Sequence, residues 1–509
     1  MDNKLTDDDV DRLLAPAAPQ KAEKWRNAVR NGFTDHVVAK GKAQREDRLV
    51  ISKAADLEMR GEGGDPFTGD PFTEDALALR FSEKHKDDLR YIALKGQWLK
   101  WHGDRWLPEA TLLAFDLARD SCREDAAHYG NGKPPPGISS AKTVAAVERL
   151  AKADRRQAAT LEQWDADDWV TNMEMATVDL HTGIDRPPDP ADYITKKTAC
   201  HAAPPGTPHP IWSAFLDRVT GGDVELQKFL QRYVGYCLTG VTAEHKFVFA
   251  YGTGANGKST FINTIREIFG DYATVADVGT FIASNTERHP TDVAKLHGYR
   301  LVVAQETEKG RRWDEAKIKS MTGGDKMTAR FMRQDFFDFI PKFKLFGTGN
   351  HKPQLNNVDE AMRRRLLLVP FTVQIPIKER DPALPEKLKA EWPAILRWCL
   401  EGCLEWQRIG LAPPKIVTDA TADYFDDQDL IKQWLDECTE ADTPVAFISA
   451  SQLFASWKSW CDQRGFATGS AKALSEALSE RGFIHKRTKK GRGFASLKLK
   501  PADHTGDAW

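Results

Sequence analysis

The segment Phe247-Val-Phe-Ala-Tyr-Gly-Thr-Gly-Ala-Asn-Gly-Lys-Ser-Thr-Phe-Ile262 decides the fold of this chain. Its apolar start predicts a buried strand, a glycine-rich turn follows, and a helical pattern comes after the turn. Glycines in such a turn let backbone N–H groups point inward around an anion, and the helix N-terminus adds positive charge. The spacing Gly252-x-x-x-x-Gly257-Lys258-Ser259 therefore predicts a loop that binds the phosphates of ATP, here named the phosphate loop (Gly252–Ser259).

The side chains of the phosphate loop have separate predicted roles. Lys258 is expected to contact the terminal phosphates, and the Ser259 hydroxyl is expected to ligate Mg²⁺. The nucleotide-binding residues are predicted to be Gly252, Thr253, Gly254, Ala255, Asn256, Gly257, Lys258, Ser259 and Thr260.

The segment from about 245 to 375 alternates apolar strand-like runs with helical stretches, which is typical of a parallel α/β sheet. A nucleoside triphosphatase of this kind needs a carboxylate at a strand end to hold magnesium or polarise water. The apolar run Leu301-Val-Val-Ala-Gln-Glu306 ends in such an acid. We therefore predict a catalytic and metal-binding role for Glu306, while Glu308 and Asp325 stay open as alternatives.

Two further features follow in the same segment. Asn350 ends the strand-like run that starts at Phe343, where its side chain could orient the attacking water; an asparagine after glycine is otherwise common in turns. The run Arg363-Arg364-Arg365 precedes another apolar strand. Such a run is usually a solvated face or a phosphate contact, but it could also supply an arginine finger to ATP held by a neighbouring subunit. We predict catalytic roles for Asn350, Arg364 and Arg365.

Composition bounds the remaining interpretations. The chain has 509 residues and a 41% hydrophobic share, which is typical of soluble globular proteins. Its formal net charge of −2 neither supports nor excludes a nucleic-acid partner. The sequence shows no signal-peptide pattern and no apolar stretch of membrane-spanning length, so we expect a cytoplasmic protein with no membrane partner. Its seven scattered cysteines are expected to be reduced thiols.

Changes in composition suggest five regions. A polar stretch rich in charged residues and glycine begins the chain, and a helix-rich region with small aromatic strands follows it. The predicted domains are a flexible segment at 1–70, a mostly helical domain at 71–240, the ATPase domain at 241–410, a helical linker at 411–444 and a C-terminal domain at 445–509.

The C-terminal region combines two amphipathic helices with a basic hairpin. Seven Lys or Arg residues and no acid lie between Ile484 and Lys500, a density that favours phosphate contacts. Helix, helix and basic hairpin resemble a winged helix, although a solvated edge or a protein-docking module remains an alternative. The DNA-binding candidates here are Lys486, Arg487, Lys489, Lys490 and Arg492.

The order of these motifs resembles helicase superfamily 3, in the branch of phage and plasmid primase-helicases and poxvirus primase-helicases. The resemblance rests on the phosphate loop, on Lys295-Leu-His-Gly-Tyr-Arg-Leu-Val-Val-Ala-Gln-Glu306, on Met321-Thr-Gly-Gly-Asp-Lys-Met-Thr-Ala-Arg330, on Lys344-Leu-Phe-Gly-Thr-Gly-Asn-His-Lys-Pro353 and on the Arg364-Arg365 pair. It implies an α/β fold with an AAA+-like P-loop motor, a helical N-terminal domain and a C-terminal winged-helix-like domain.

The resemblance also implies a hexameric ring that hydrolyses ATP with Mg²⁺ and moves 3′→5′ on single-stranded or forked DNA during phage or plasmid-type replication. DNA contacts in that family lie on a hairpin before the third motif. In this sequence the cations of that hairpin are Lys326, Arg330, Arg333 and Lys342, interleaved with aromatic residues that could stack on bases.

Two departures from the family pattern matter. Gln305 stands where many relatives have an acidic or small residue, which leaves the division of labour around Glu306 open. Residues 1–70 are too short for a primase domain, so we expect priming, if needed, from a separate primase or polymerase. The alternatives to a helicase are a DNA-stimulated ATPase that loads or remodels partners without unwinding, and a small-molecule kinase, against which the arginine run and the basic C-terminal region argue.

Overall fold

The computed structural model of this chain describes most of the sequence. The described residues are 71–127, 137–283, 291–305, 312–330, 336–355, 360–441, 447–466, 468–489 and 491–500. The chain divides into two compact units. The first takes the residues through Lys197 together with Leu404–Gly410, and the second takes Thr198–Cys403 and Leu411 onward.

The first unit begins with three helices packed on a small sheet. The first helix is capped at its start, since the Thr73 hydroxyl accepts the N–H of Ala76. Buried Phe81, Leu89 and Val147 join the helices to the sheet. The helices are α1 (Glu74–Lys84), α2 (Leu113–Ala127) and α3 (Ala141–Ala151). The strands are β1 (Leu89–Ile92), β2 (Gln97–Trp101), β3 (Trp106–Pro108) and β4 (Ala158–Ala159), in the order β3-β2-β1-β4.

A second sheet in this unit is an antiparallel meander of three strands, β5 (Val170–Met173), β6 (Ala176–Asp179) and β7 (Ile184–Arg186). The Gln407 side chain donates a hydrogen bond to the carbonyl of Leu180, which ties the Leu404–Gly410 segment to the meander. Short 3-10 helices lie at Ala93–Lys95, Leu161–Gln163 and Pro190–Asp192.

The second unit is built around a five-stranded sheet in which every neighbouring pair is parallel. Its strands are β8 (Phe247–Tyr251), β9 (Ala273–Asp277), β10 (Leu301–Gln305), β13 (Lys344–Gly349) and β14 (Leu366–Pro370), in the order β14-β8-β13-β10-β9. Two short strands, β11 (Met327–Ala329) and β12 (Phe337–Phe339), form the antiparallel central hairpin. Because all five sheet strands run the same way, their carboxyl ends lie along one edge.

Helices precede, connect and follow the strands of this sheet along the chain. They are α4 (Pro210–Thr220), α5 (Val224–Cys237), α6 (Lys258–Phe269), α7 (Thr291–Ala294), α8 (Glu315–Gly323), α9 (Glu360–Arg363), α10 (Leu384–Lys389), α11 (Trp392–Ile409) and α12 (Lys415–Gln428), with 3-10 turns at Gly270–Tyr272, Val278–Thr280 and Ile377–Glu379. The parallel α/β sheet predicted from the sequence is confirmed.

Residues 384–409 form two helices, because α10 ends at Lys389 before α11 begins at Trp392. Pro393 has no N–H to continue a helix through this point. The Glu391 carboxylate instead accepts the backbone N–H groups of Ile211 and Trp212 and so caps the start of α4.

Two buried cations join α5 to the sheet. The Lys344 ammonium donates to the carbonyls of Thr239 and Val241, and the Arg300 guanidinium donates to that of Leu238. These carbonyls follow the C-terminal end of α5, where positive charge is favourable. The first residue of β13 and the residue before β10 are thereby held to one helix end.

The C-terminal part of the second unit has its own core. Trp434, Leu453, Trp457, Leu478 and Phe494 are buried together there. The elements are the helices α13 (Leu430–Cys438), α14 (Ala450–Arg464) and α15 (Ala471–Glu480) and the strands β15 (Thr439–Ala441), β16 (Phe447–Ser449), β17 (His485–Thr488), β18 (Gly491–Ala495) and β19 (Leu497–Leu499). The strands pair as β16-β18-β17 and β15-β19. Among the described residues, no helix combines the length and apolar character that a membrane span requires.

Candidate nucleotide-binding site

The phosphate loop joins the carboxyl end of β8 to the start of α6, as the sequence predicted. Two glycines have no room for a side chain. A Cβ on Gly252 would lie 2.1 Å from the carbonyl oxygen of Phe371, and one on Gly257, whose φ is +83°, would lie 2.3 Å from Cγ1 of Val219. Steric limits therefore explain both glycines, independently of any ligand.

Lys258 is held inside the loop, with 5% of its surface exposed. Its ammonium donates to the carbonyl of Gly252 over 2.7 Å and to Oδ1 of Asn256 over 3.0 Å. Burial lowers the pKa of the Lys258 ammonium below its usual value, because desolvation disfavours the charged form. A cation that is this well positioned and this poorly hydrated suits a phosphate better than it suits solvent.

The other predicted nucleotide-binding residues surround this lysine. Thr253, Ala255 and Ser259 are exposed, while Gly254 and Thr260 are half-buried. Ser259 and Thr260 lie in the first turn of α6, where unpaired N–H groups favour an anion. The Ser259 hydroxyl is the kind of oxygen donor that Mg²⁺ accepts beside phosphate and carboxylate oxygens, so this residue fits the predicted metal role.

The predicted catalytic acid directly follows β10 in the sequence. Glu306 and the alternative Glu308 lie outside the described residues, and the other alternative, Asp325, is exposed beyond the end of α8. The described end of the strand is nevertheless informative. Gln305 donates its side-chain N–H to Oδ1 of Asn263 over 2.8 Å. Asn263 lies one helical turn after Ser259, so this bond fixes the end of β10 against the helix that the phosphate loop begins.

Asn350 follows directly after β13 and is exposed. The register of the sheet sets its neighbours, because Thr348 pairs with Ala250 of β8 on one side and with Gln305 of β10 on the other. Asn350 is therefore at the same edge as the phosphate loop, directly after the strand that lies between β8 and β10. This is the neighbourhood that the predicted water-orienting role requires.

The three consecutive arginines differ in surroundings. Arg365 is 8% exposed and donates from Nε to the Thr322 hydroxyl and from its guanidinium to the carbonyl of Ala361. Arg363 lies over the ring of Phe425 and pairs with Asp426 at 3.6 Å. Arg364 is exposed, and its side chain makes no hydrogen bond or ion pair with other described residues. Arg364 is the most exposed of the three, whereas Arg365 is held by residues of α8 and α9.

Lys352 lies near the phosphate loop, although the sequence motifs did not predict a role for it. Its ammonium lies 4.3 Å from the ring centroid of Tyr251, the last residue of β8, and 5.8 Å from that of Tyr424. Lys352 thus adds a second cation next to the phosphate loop. Its position two residues after Asn350 was the sequence feature that could have pointed to a role at the site. The two tyrosine rings that it contacts belong to a strand and a helix distant in sequence, so a local sequence pattern could not predict the contact.

The predicted DNA contacts of the central hairpin are unequal. Lys326 pairs with Asp338 at 3.1 Å, and Lys342 is half-buried. The Arg330 guanidinium lies 4.6 Å from the ring centroid of Phe336, which is 58% exposed. The Nε of Arg330 is buried with no hydrogen-bond partner among the described residues. Arg333 lies outside the described residues.

The C-terminal hairpin (β17 and β18) presents its cations in an unusual way. Arg487 and Arg492 are directly opposite each other in the antiparallel register, and both are exposed. Like charges in opposed positions repel, so this pair favours an anionic partner. Lys489 is exposed and Lys486 is half-buried, while Lys490 lies outside the described residues.

Two family models match this chain. One, described as D5 N terminal like, matches residues 78–221, and the other, described as a family of unknown function (DUF5906), matches residues 250–365. Together the matches cover about half of the chain. The second spans the phosphate loop, Asn350 and the arginines.

Curated viral proteins are similar to the chain at low identity. "Putative helicase L207/L206" of Acanthamoeba polyphaga mimivirus is 25% identical over 59% of this chain and 34% of that protein. "Putative helicase 022R" of Frog virus 3 is 26% identical over 47% and 26%, and "Putative helicase V13" of Sputnik virophage is 29% identical over 30% and 21%. The matches span about a third or less of these relatives' lengths.

Among solved structures, the C-terminal region of NrS-1 matches 84% of this chain and 99% of that chain, with 9% identity and a TM-score of 0.46. The family models and the viral relatives agree with the resemblance drawn from the motifs and support a D5-like primase-helicase family for this chain.

Proposed function

We propose that this chain is the ATP-hydrolysing motor of a DNA helicase of superfamily 3, with a P-loop AAA+-like domain. The observation that carries the proposal is the phosphate loop, with Lys258 buried at the carboxyl edge of a parallel sheet. Ligands of open α/β sheets bind at this edge. The relatives named as helicases support the direction of the proposal.

In the proposed mechanism, the N–H groups of the phosphate loop and of the first turn of α6 bind the ATP phosphates. Lys258 exchanges a hydrogen bond within the loop for one to the terminal phosphates. Ser259 and Glu306 would hold Mg²⁺, which supplies charge neutralisation when bound. Asn350, directly after the strand between β8 and β10, orients the attacking water. ATP and Mg²⁺ are thus the cofactors of the proposed reaction.

Arg364 and Arg365 have different proposed roles in ATP hydrolysis. Arg364 is exposed and reaches the ATP of a neighbouring subunit, where its charge stabilises the transition state. Arg365 positions that segment through its bonds to Thr322 and Ala361. A contact of this kind between identical subunits closes into a ring, and we propose a hexamer.

DNA is proposed to bind two surfaces. On the central hairpin, the Arg330–Phe336 pair offers a cation and an exposed ring to the backbone and bases of a single strand. The ion pair of Lys326 with Asp338 makes Lys326 a weaker candidate. On the C-terminal hairpin, Arg487, Lys489 and Arg492 contact phosphates.

The order of elements supports a winged-helix-like C-terminal domain, with α13, β16, α14, α15 and the β17–β18 hairpin in succession. Trp434 of α13 is buried in that core, so we propose a domain boundary near Asp429 in place of residue 445. The other boundaries, the cytoplasmic location, phage or plasmid-type replication and a separate primase or polymerase remain parts of this proposal.

The test is unwinding of a forked DNA duplex that carries a 3′ or a 5′ single-stranded tail. We expect displacement that needs ATP and Mg²⁺, that is lost with a non-hydrolysable ATP analogue, and that requires the 3′ tail. Lys258→Ala should lose hydrolysis by at least about a thousandfold while its thermal unfolding remains cooperative.

A DNA-stimulated ATPase without strand displacement would favour the alternative, a switch that loads or remodels partners. Normal ATP turnover by Lys258→Ala would refute the proposed site itself.

A further inference from the structure

Asn256 lies within the phosphate loop, and both polar atoms of its side chain are in hydrogen bonds. Nδ2 donates to the backbone carbonyl of Phe371 over 2.9 Å, and Oδ1 accepts from the Lys258 ammonium over 3.0 Å. The side chain is buried, with 5% of its surface exposed. Phe371 directly follows β14, the strand that begins after Arg365. One amide therefore connects the loop, its lysine and the end of the strand that follows the three arginines.

The chemistry of these two partners suits an amide. The Phe371 carbonyl needs a donor and the Lys258 ammonium needs an acceptor, and the Asn256 amide offers both without charge. A carboxylate would lack the donor, and serine would be too short to bridge the two groups. Gly252 makes room for this side chain, because a Cβ there would lie 2.3 Å from Nδ2 of Asn256.

We propose that Asn256 is a positioning residue that sets where Lys258 meets the terminal phosphates and ties the phosphate loop to β14. This inference rests on the proposed nucleotide site and deepens it. Because the amide is neutral, it orients the ammonium without competing strongly for it. A carboxylate in the same place would form a charge-assisted bond to Lys258 and would repel phosphate oxygens.

The test compares the full-length wild type with Asn256→Asp and Asn256→Ala, using equilibrium binding of ATP and AMP and steady-state hydrolysis. For Asn256→Asp we expect at least a tenfold loss of ATP affinity and a matching rise in KM, with a smaller change in kcat. AMP affinity should change less than threefold, because Lys258 contacts phosphates that AMP lacks. For Asn256→Ala we expect kcat to fall by about tenfold, since Lys258 loses orientation without gaining a competitor.

Thermal unfolding of both variants serves as the folding control. Equal losses of AMP and ATP affinity in both variants would indicate a merely structural role and would overturn the inference, as would wild-type ATP binding and turnover in both. A wild type that binds no ATP would instead refute the proposed function.

Discussion

The phosphate loop and the C-terminal hairpin both carry cations proposed to meet phosphates, but their surroundings are opposite. Lys258 is 5% exposed and donates two hydrogen bonds to its own loop. Arg487 and Arg492 are exposed and face each other across the hairpin. A buried cation needs defined partners to offset its lost hydration, whereas an exposed one interacts through charge density. The first arrangement suits chemistry at one atom, and the second suits binding along a polymer.

Among the three arginines before β14, Arg365 is buried and Arg364 is exposed. Their replacement is expected to give the largest effects. Arg364→Ala should lower ATP turnover by about a thousandfold, as expected for an arginine finger, with a change in unfolding free energy within about 0.5 kcal/mol. Arg365→Ala should lower the unfolding free energy by about 1.5–3 kcal/mol, because buried partners lose a charged donor. Turnover assays and denaturant titrations measure the two effects.

Arg363→Ala serves as the control, since Arg363 is engaged by Phe425 and Asp426. If Arg364→Ala turned over ATP like the wild type, exposure would not mark the catalytic arginine.

Two glycines of the phosphate loop test how tightly the loop is packed. Gly254 and Gly257 both have positive φ values, +97° and +83°, but a Cβ on Gly254 would meet nothing within 4 Å. Gly254→Ala should therefore cost only backbone strain, about 1–2 kcal/mol of unfolding free energy. Gly257→Ala should cost about 3 kcal/mol or more, because its Cβ would also displace Val219. Equal losses in denaturant titrations would mean that close packing against α4 is not what requires glycine.

The C-terminal hairpin gives the smallest expected effect. Replacing both Arg487 and Arg492 by Ala should weaken DNA binding by about tenfold at low salt and reduce the log–log salt slope by about 2. Stability should hold or rise by about 0.2–1 kcal/mol, because opposed like charges are removed. Fluorescence anisotropy with labelled DNA across a salt series measures this.

Lys498→Ala is the matched control for that series, because Lys498 already pairs with Glu440. An unchanged salt slope in the double variant would separate the hairpin from DNA binding.

The sequence predicted the strand, turn and helix around the phosphate loop because their geometry depends on local sterics and spacing. It predicted β8, β10, β13 and β14 for a similar reason, since these strands are apolar and buried. It missed β9 (Ala273–Asp277), a partly exposed edge strand without an apolar run. Edge strands are specified by their pairing partner, here β10, and such a partner cannot be seen in a local pattern.

In the candidate site, too, some features followed from local motifs and others depended on tertiary contacts. Lys258 and the neighbourhood of Asn350 followed from motifs, whereas the difference between Arg364 and Arg365 depended on Thr322 and Ala361, which pack against only one of them. The Lys352–Tyr251 contact and the Gln305–Asn263 bond likewise join residues far apart in sequence. Each of these contacts depends on tertiary packing, which cannot be predicted from the residue type alone.

The central claim is that ATP held by the phosphate loop of one subunit is hydrolysed with the help of Arg364 from another. Mixing Lys258→Ala with Arg364→Ala protein in the presence of single-stranded DNA tests it most directly, with ATP turnover as the readout. Each variant alone should be inactive, and the mixture should recover turnover, because some interfaces would pair an intact loop with an intact arginine. No recovery at any ratio, in variants that still assemble together, would contradict the account.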